Sequence, residues 1–181
     1  MPMDFGTVLH RLLDVFGAEH IDCALIGGFA LAALGAPRAT ADLDLLVPGE
    51  HADEVARIMH TLGYRELHRS ADAANYAAED ARLGRVDFLF ARRPYSRAML
   101  ARARPRRLGG GTDVKVVDPE DLIGLKVQAS SNNPQRLTWD LSDIERVLDA
   151  HPAIDLERVR EYFRLFGREP ELDALLARRR R

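Results

Sequence analysis

Apolar residues near the start of the chain fall at Phe5, Val8, Leu9, Leu12, Leu13 and Phe16, the i, i+3, i+4, i+7 spacing of an amphipathic helix. The run from Ile21 to Ile26 is apolar and stops at Gly27 and Gly28, which predicts a short buried strand; Phe29 to Leu34 then reads as a short helix. A second strand is predicted from Asp42 to Val47, ended by Pro48 and Gly49, and an amphipathic helix from Ala52 to Leu62, stopped by Gly63. Short strands are expected at residues 64–68 and 73–79, and a stronger one at Gly84–Ala91 after a turn at Asp80–Gly84.

From Asp118 the pattern is helical. Asp118 reads as an N-cap, with Pro119 at the first helical position and Asp121 where a capping-box acid would stand, so a helix is expected over about residues 119–130. The loop "SSNNPQR" leads to a helix at about 136–149, and shorter helices follow at Leu156–Phe166 and Pro170–Arg178. The fold class expected is α/β, a mixed sheet flanked by helices and followed by a C-terminal helical region. The division is residues 1–117 and residues 118–181. About 60 residues make a marginal core, so the helical part is expected to pack on the sheet and close one side of a cleft.

Composition narrows the function classes. With 26 Lys and Arg against 28 Asp and Glu, the net charge of −2 offers no global attraction to nucleic acid. A lone cysteine, Cys23, permits neither an internal disulfide nor a cysteine-based zinc site. A reducing, cytoplasmic setting is the expectation. No apolar stretch approaches the roughly 18 residues of a membrane span, and Asp4, His10 and Arg11 disqualify the N-terminus as a signal peptide.

Charge placed inside an aliphatic strand is the anomaly that points to chemistry. Asp42 and Asp44 are two residues apart in a strand, so they project from one face at roughly 7 Å along the backbone. Side by side they repel unless a cation lies between them. Asp87, in "RVDFLF", repeats the anomaly on another strand. Three such acids could hold two divalent cations about 3.5–4 Å apart, the arrangement that clamps attacking and leaving oxygens in phosphoryl or nucleotidyl transfer. Mg²⁺ suits this, since it takes one or two carboxylates and completes its shell with water and phosphate oxygens. Gly27 and Gly28 would let a triphosphate approach the backbone at the start of a helix. Taken singly, an Asp-x-Asp is more often a solvated edge and a Gly-Gly a turn. The order strand, glycines, helix, paired acids, third acid is what argues for one site.

On these residues the chain resembles the nucleotidyltransferase superfamily with the DNA polymerase beta type of fold, over roughly residues 21–91. Gly27, Gly28, Asp42, Asp44 and Asp87 carry the resemblance, and Arg38 and Thr40 in "APRATADLD" look like the R-x-T-x-D-x-D form of small bacterial members. The resemblance implies nucleotide binding by Gly27, Gly28, Arg38 and Thr40. Many members place Ser or Thr beside the glycines to contact phosphates, and Phe29 departs from that. Two branches compete. "GGFALAALGAPRATADLDLLVPGE" is similar to aminoglycoside nucleotidyltransferases, whereas "EDLIGLKVQA" and "WDLSDIERVL" look like the abortive-infection toxin branch (AbiEii type), which would imply a tRNA acceptor and a cognate antitoxin. In that branch Lys126, Asp140 and Asp143 would match motif positions.

The helical wheel adds that Asp140 lies about 40° from the centre of the apolar face marked by Ile144, and so points inward. Lys126 is also partly inward. The pair reads either as an ion pair that fixes helix packing or as a phosphate-binding lysine, with Asp140 or Asp143 orienting it or serving as base. The stretch Ala91–Arg107 holds seven arginines and no acid, and Arg178–Arg181 ends the chain. It is either solvated surface or a contact for triphosphate or RNA. The six histidines show no metal-ligand spacing.

The function expected is therefore Mg²⁺-dependent (or Mn²⁺-dependent) transfer of a nucleoside monophosphate from an NTP to a hydroxyl, with tRNA the favoured acceptor. Asp42, Asp44 and Asp87 would hold metal, Asp87 would assist deprotonation, and Arg38 and Lys126 would neutralise developing charge. The alternatives are an aminoglycoside-type small-molecule enzyme and a non-catalytic nucleotide-binding or antitoxin-like protein.

Overall fold

The computed structural model describes residues 3–109 and 111–179. The chain divides into two compact units, one running to Val117 without Leu34–Ala36, the other comprising Leu34–Ala36 and the chain from Asp118 onward.

The first unit contains α1 (Phe5–Ala18), β1 (Ala24–Ile26), α2 (Gly27–Ala33), β2 (Asp42–Pro48), α3 (Ala52–Thr61), β3 (Tyr64–Arg69), β4 (Ala73–Ala78), β5 (Arg85–Ala91), α4 (Pro94–Arg102), β6 (Arg104–Arg107) and β7 (Asp113–Val116). Among the described residues the strands form one seven-stranded sheet in the order β3-β4-β5-β2-β1-β7-β6. β2 pairs with β5, and β1 with β7, in parallel; the other pairings are antiparallel. The sheet is therefore mixed, as the sequence implied.

Period-two alternation gives the sheet two unlike faces. Leu43, Leu45 and Val47 on β2, Val86, Phe88 and Phe90 on β5, and Ala74 and Tyr76 on β4 are all buried. Phe16 of α1 meets the Phe88 ring at 6.0 Å, and Tyr76 meets it edge-on at 5.8 Å, so α1 caps this face and forms the core. The alternate positions at the starts of β2 and β5, Asp42, Asp44, Arg85 and Asp87, with Asn75 on β4, are only partly covered or exposed, whereas Leu46 and Ala91 farther along the same face are buried. Charge sits in these strands because the alternation sends it to the open face.

One expectation is corrected by the strand lengths. The strand predicted from Ile21 is only Ala24–Ile26, although Ile21 and Cys23 are buried. Residues 92–117, which show no regular apolar period, supply α4 and two strands. β6 reads Arg-Pro-Arg-Arg and is exposed at all four positions, as a charged edge strand can be. Residues of this kind carry no alternation to detect.

Burial of Cys23 pushes its thiol up to about 12, from an ordinary 9.0. The proton is thus held more tightly in the folded state, and the stability this confers is complete below pH 9 and lost as pH rises towards 12. Tyr64 and Tyr76, also pushed up to about 12 by burial, add to the same alkaline loss. Between pH 8 and pH 11, urea unfolding should show wild type losing about 2–3 kcal/mol more than Cys23→Ala, because the tyrosine contribution cancels in the comparison. Equal losses would show that the thiol titrates alike in both states.

The second unit holds α5 (Pro119–Asn132), α6 (Leu137–Ala150), α7 (Leu156–Leu165) and α8 (Glu169–Arg179). Leu122, Ile123, Val127, Ile144, Val147, Leu148, Val159, Phe163, Leu172 and Leu175 form its core. A Cβ on Gly124 would stand 2.7 Å from the Tyr162 ring, so the glycine lets α5 and α7 pack closely. Asp118 occupies the N-cap position without a side-chain cap bond. Asp121, expected in a capping box, is instead fully buried and accepts a hydrogen bond from Tyr162 Oη at 2.6 Å. The reason is tertiary: the phenol needs a buried partner, and the carboxylate on the inner side of the first turn provides it. No helix among the described residues is long and apolar enough to cross a membrane.

Candidate active site

The acids of the open face are set by strand register. Asp44 on β2 lies directly beside Asp87 on β5, and Asp42 beside Arg85, so in this parallel pair all four side chains share one face. Asn75 of β4 is the cross-strand partner of Asp87 and joins the same row. Asp42 keeps 38% of its side chain exposed and Asp87 22%, so the cluster is open to a solute. The Arg85 guanidinium stands between two acids, with Nε 3.9 Å from Asp42 Oδ1 and an η nitrogen 3.8 Å from Asp87 Oδ1.

The glycine pair belongs to this geometry for a steric reason. Gly27 opens α2 at φ +65, and a Cβ on it would lie 2.0 Å from Asp44 Oδ2. A Cβ on Gly28 would lie 2.5 Å from Thr40 Cβ and 2.6 Å from its Oγ1. Thus the absent side chains are the space that Asp44 and Thr40 occupy. Gly27→Ala should cost at least about 1–3 kcal/mol from backbone strain alone and should displace the Asp44 carboxylate. Gly63→Ala is the control, since Gly63 also has positive φ, +87, but open space around its Cβ position. Thermal melts should show both variants destabilised, with turnover lost only in Gly27→Ala; turnover retained there would show that Asp44 need not hold its place.

Phe29, the departure beside the glycines, is explained by packing. Its ring stacks on Phe5 of α1 with centroids 3.6 Å apart and planes within 16°. Position 29 thus ties α2 to α1, and the hydroxyl nearest the glycines comes from Thr40 instead, whose Oγ1 donates to Asp42 O at 3.4 Å. Arg38 is exposed and donates to the Ala39 carbonyl at 2.9 Å.

Lys126, Asp140 and Asp143 are also brought together, within the helical unit. Lys126 Nζ lies 2.7 Å from Asp143 Oδ2 and 3.3 Å from Asp140 Oδ1, with all three side chains at most 7% exposed. Arg136 Nε approaches the other oxygen of Asp140 at 3.3 Å. Asp140 points inward as the helical wheel indicated.

The arginine stretch is largely compensated. Arg93 pairs with Asp72 at 3.7 Å, Arg97 with Glu50 at 3.1 Å and Arg107 with Asp113 at 3.7 Å, while Arg92 Nε donates to Ala71 O at 2.7 Å. Arg178 pairs with Glu145 at 3.1 Å and Arg179 with Asp149. Arg180 and Arg181 lie outside the described residues.

Among the described residues no three His, Cys, Asp or Glu side chains are already gathered into a cation cage. A Mg²⁺ site needs less: one or two carboxylates, with water and substrate oxygens for the rest. Asp44 and Asp87, hard oxygen donors at one register level on adjacent strands, fit that requirement.

From residue 6 to residue 178 the chain matches the model of a family described as uncharacterised nucleotidyltransferase. The chain belongs to this nucleotidyltransferase family. As a nucleotidyltransferase it is an enzyme of nucleotidyl-group transfer. Its fold is similar to that of ANT(2'')-Ia in complex with adenylyl-2''-tobramycin, at 21% identity and TM-score 0.61 over 89% of this chain and 95% of that one. It is also similar to an antigenic nucleotidyltransferase-like protein from Paracoccidioides brasiliensis, at 18% identity and TM-score 0.59 over 98% and 95% of the two chains. A third likeness is to the lincosamide antibiotic adenylyltransferase LnuA with lincomycin bound, at 14% identity and TM-score 0.51 over 78% and 94%. At these identities the likeness is one of fold. No curated protein gives a significant match.

Arg85 and Asn75 also belong to the row. Period-two spacing from Asp87 reaches Arg85 directly, whereas Asn75 joins only through the β4–β5 register.

Proposed function

We propose that this nucleotidyltransferase moves a nucleoside monophosphate from an NTP to a hydroxyl of a small molecule, with Asp42, Asp44 and Asp87 holding the divalent cation. The observation that carries the reading is the register of β2 and β5, which sets three carboxylates on one open face. Bound there, Mg²⁺ would neutralise triphosphate charge as a Lewis acid. The protein's own groups do the rest. Gly27 and Gly28 keep the Asp44 and Thr40 side chains close to the α2 backbone, Arg38 and Thr40 orient phosphate oxygens, and Asp87 accepts the proton of the acceptor hydroxyl. Lys126 serves a positioning role, joining α5 to α6 through Asp143 and Asp140, because its ammonium is already held by both acids.

The acceptor class is a small molecule rather than RNA. The exposed ion pairs of the arginine stretch are too weak to decide between the two. The tobramycin adduct and bound lincomycin of the two antibiotic-related structures point to the same class. RNA, with an antitoxin partner, is the second reading, favoured by the exposed arginines of β6.

The test offers each of four α-labelled NTPs with Mg²⁺ to a panel of aminoglycosides and lincosamides, and separately to total tRNA. Label on a small molecule supports the proposal. Label on RNA alone replaces the acceptor class, and label on neither refutes both.

A further inference from the structure

Arg85 is the unexplained member of the acid row. An arginine at the first position of a strand ordinarily extends into solvent, yet this guanidinium spans the gap between Asp42 on one strand and Asp87 on its own. Neither approach, at 3.9 and 3.8 Å, is the close two-pronged hydrogen bonding that arginine makes with a carboxylate when the pair is built for strength. The side chain is 49% exposed, so it can swing away into water with little loss. What remains is a loosely held positive charge lying against two of the three carboxylates assigned to the metal.

Resting on that metal assignment, we infer that Arg85 is a built-in counter-cation that occupies the cation's electrostatic place in the nucleotide-free enzyme and yields to the divalent ion. Three carboxylates on one strand face would repel each other without a neutralising charge. The guanidinium supplies part of it, and supplies it from the same face by register, Arg85 beside Asp42. A divalent ion entering alone must displace this charge and then sit near it. An ion entering with a triphosphate brings its own negative charge, towards which the released guanidinium can turn. Arg85 therefore disfavours metal binding without nucleotide and imposes far less cost when both arrive together. Such a residue makes the order of binding a property of the site.

Mn²⁺ titration followed by the electron paramagnetic resonance signal of the free ion, without nucleotide, separates the possibilities. Wild type, Arg85→Gln, Arg85→Lys and Asp44→Asn are compared. The expected result is Mn²⁺ affinity raised on the order of tenfold in Arg85→Gln, close to wild type in Arg85→Lys, and lost in Asp44→Asn. The thermal midpoint of Arg85→Gln should fall in EDTA at low salt and recover with Mn²⁺. Affinity unchanged or weakened in Arg85→Gln, with Asp44→Asn still abolishing binding, overturns the role of Arg85 and leaves the metal site standing. Mn²⁺ binding that Asp44→Asn does not affect overturns the metal assignment and this inference with it.

Discussion

Asp44→Asn is expected to lower kcat by about 10³-fold or more while leaving the metal-free protein as stable as wild type or slightly more so. On the proposed metal-holding role of Asp44, the activity loss follows from removing a charged ligand, because Lewis-acid stabilisation is worth several kcal/mol and each ~1.4 kcal/mol is tenfold in rate. The stability gain follows from register: Asp44 lies beside Asp87 and two positions from Asp42, and like charges set across neighbouring strands are destabilising by about 0.2–1 kcal/mol. Asparagine has nearly the same shape, so it keeps the place that Gly27 leaves open for this side chain. Turnover and the thermal midpoint in EDTA, measured on one preparation, check both halves. A variant less stable than wild type but fully active would mean that Asp44 is a packing residue.

The second large effect lies in the helical unit. Lys126→Met should destabilise the protein by about 3–5 kcal/mol, since it leaves the buried Asp140 and Asp143 carboxylates without the ammonium they share. The cost comes from stranding charge rather than from losing a strong bond. Replacing the cluster together, Lys126→Met with Asp140→Leu and Asp143→Leu, should therefore recover most of the loss, as buried ion clusters exchanged for apolar groups often do. Chemical denaturation of the single and triple variants decides the matter. A single variant as stable as wild type, with greatly weakened NTP binding, would return Lys126 to the phosphate-binding role.

Much of the candidate site was legible because strand periodicity is strict. Asp42 and Asp44 share a face by spacing alone, and Asp87 was recognisable as a third acid among aliphatic neighbours. Their meeting required that β2 and β5, separated in sequence by α3 and a hairpin, lie side by side, which periodicity does not specify. Other features were hidden for local reasons. β6 has no apolar alternation, and β7 has only four residues. Phe29 gave no sign that Phe5 would stack on it. Asp121 followed the capping pattern, but the buried Tyr162 hydroxyl claimed it. Local rules located the charged positions, and long-range packing decided what each one touches.

The acid face of the sheet is the proposed centre of nucleotidyl transfer. Its most direct test is the yield of labelled acceptor from α-labelled NTP, for wild type with Mg²⁺, wild type in EDTA, and Asn variants of Asp42, Asp44 and Asp87 in turn. Label transfer is expected in the first sample alone. Label transfer that survives both chelation and the loss of each acid would contradict it.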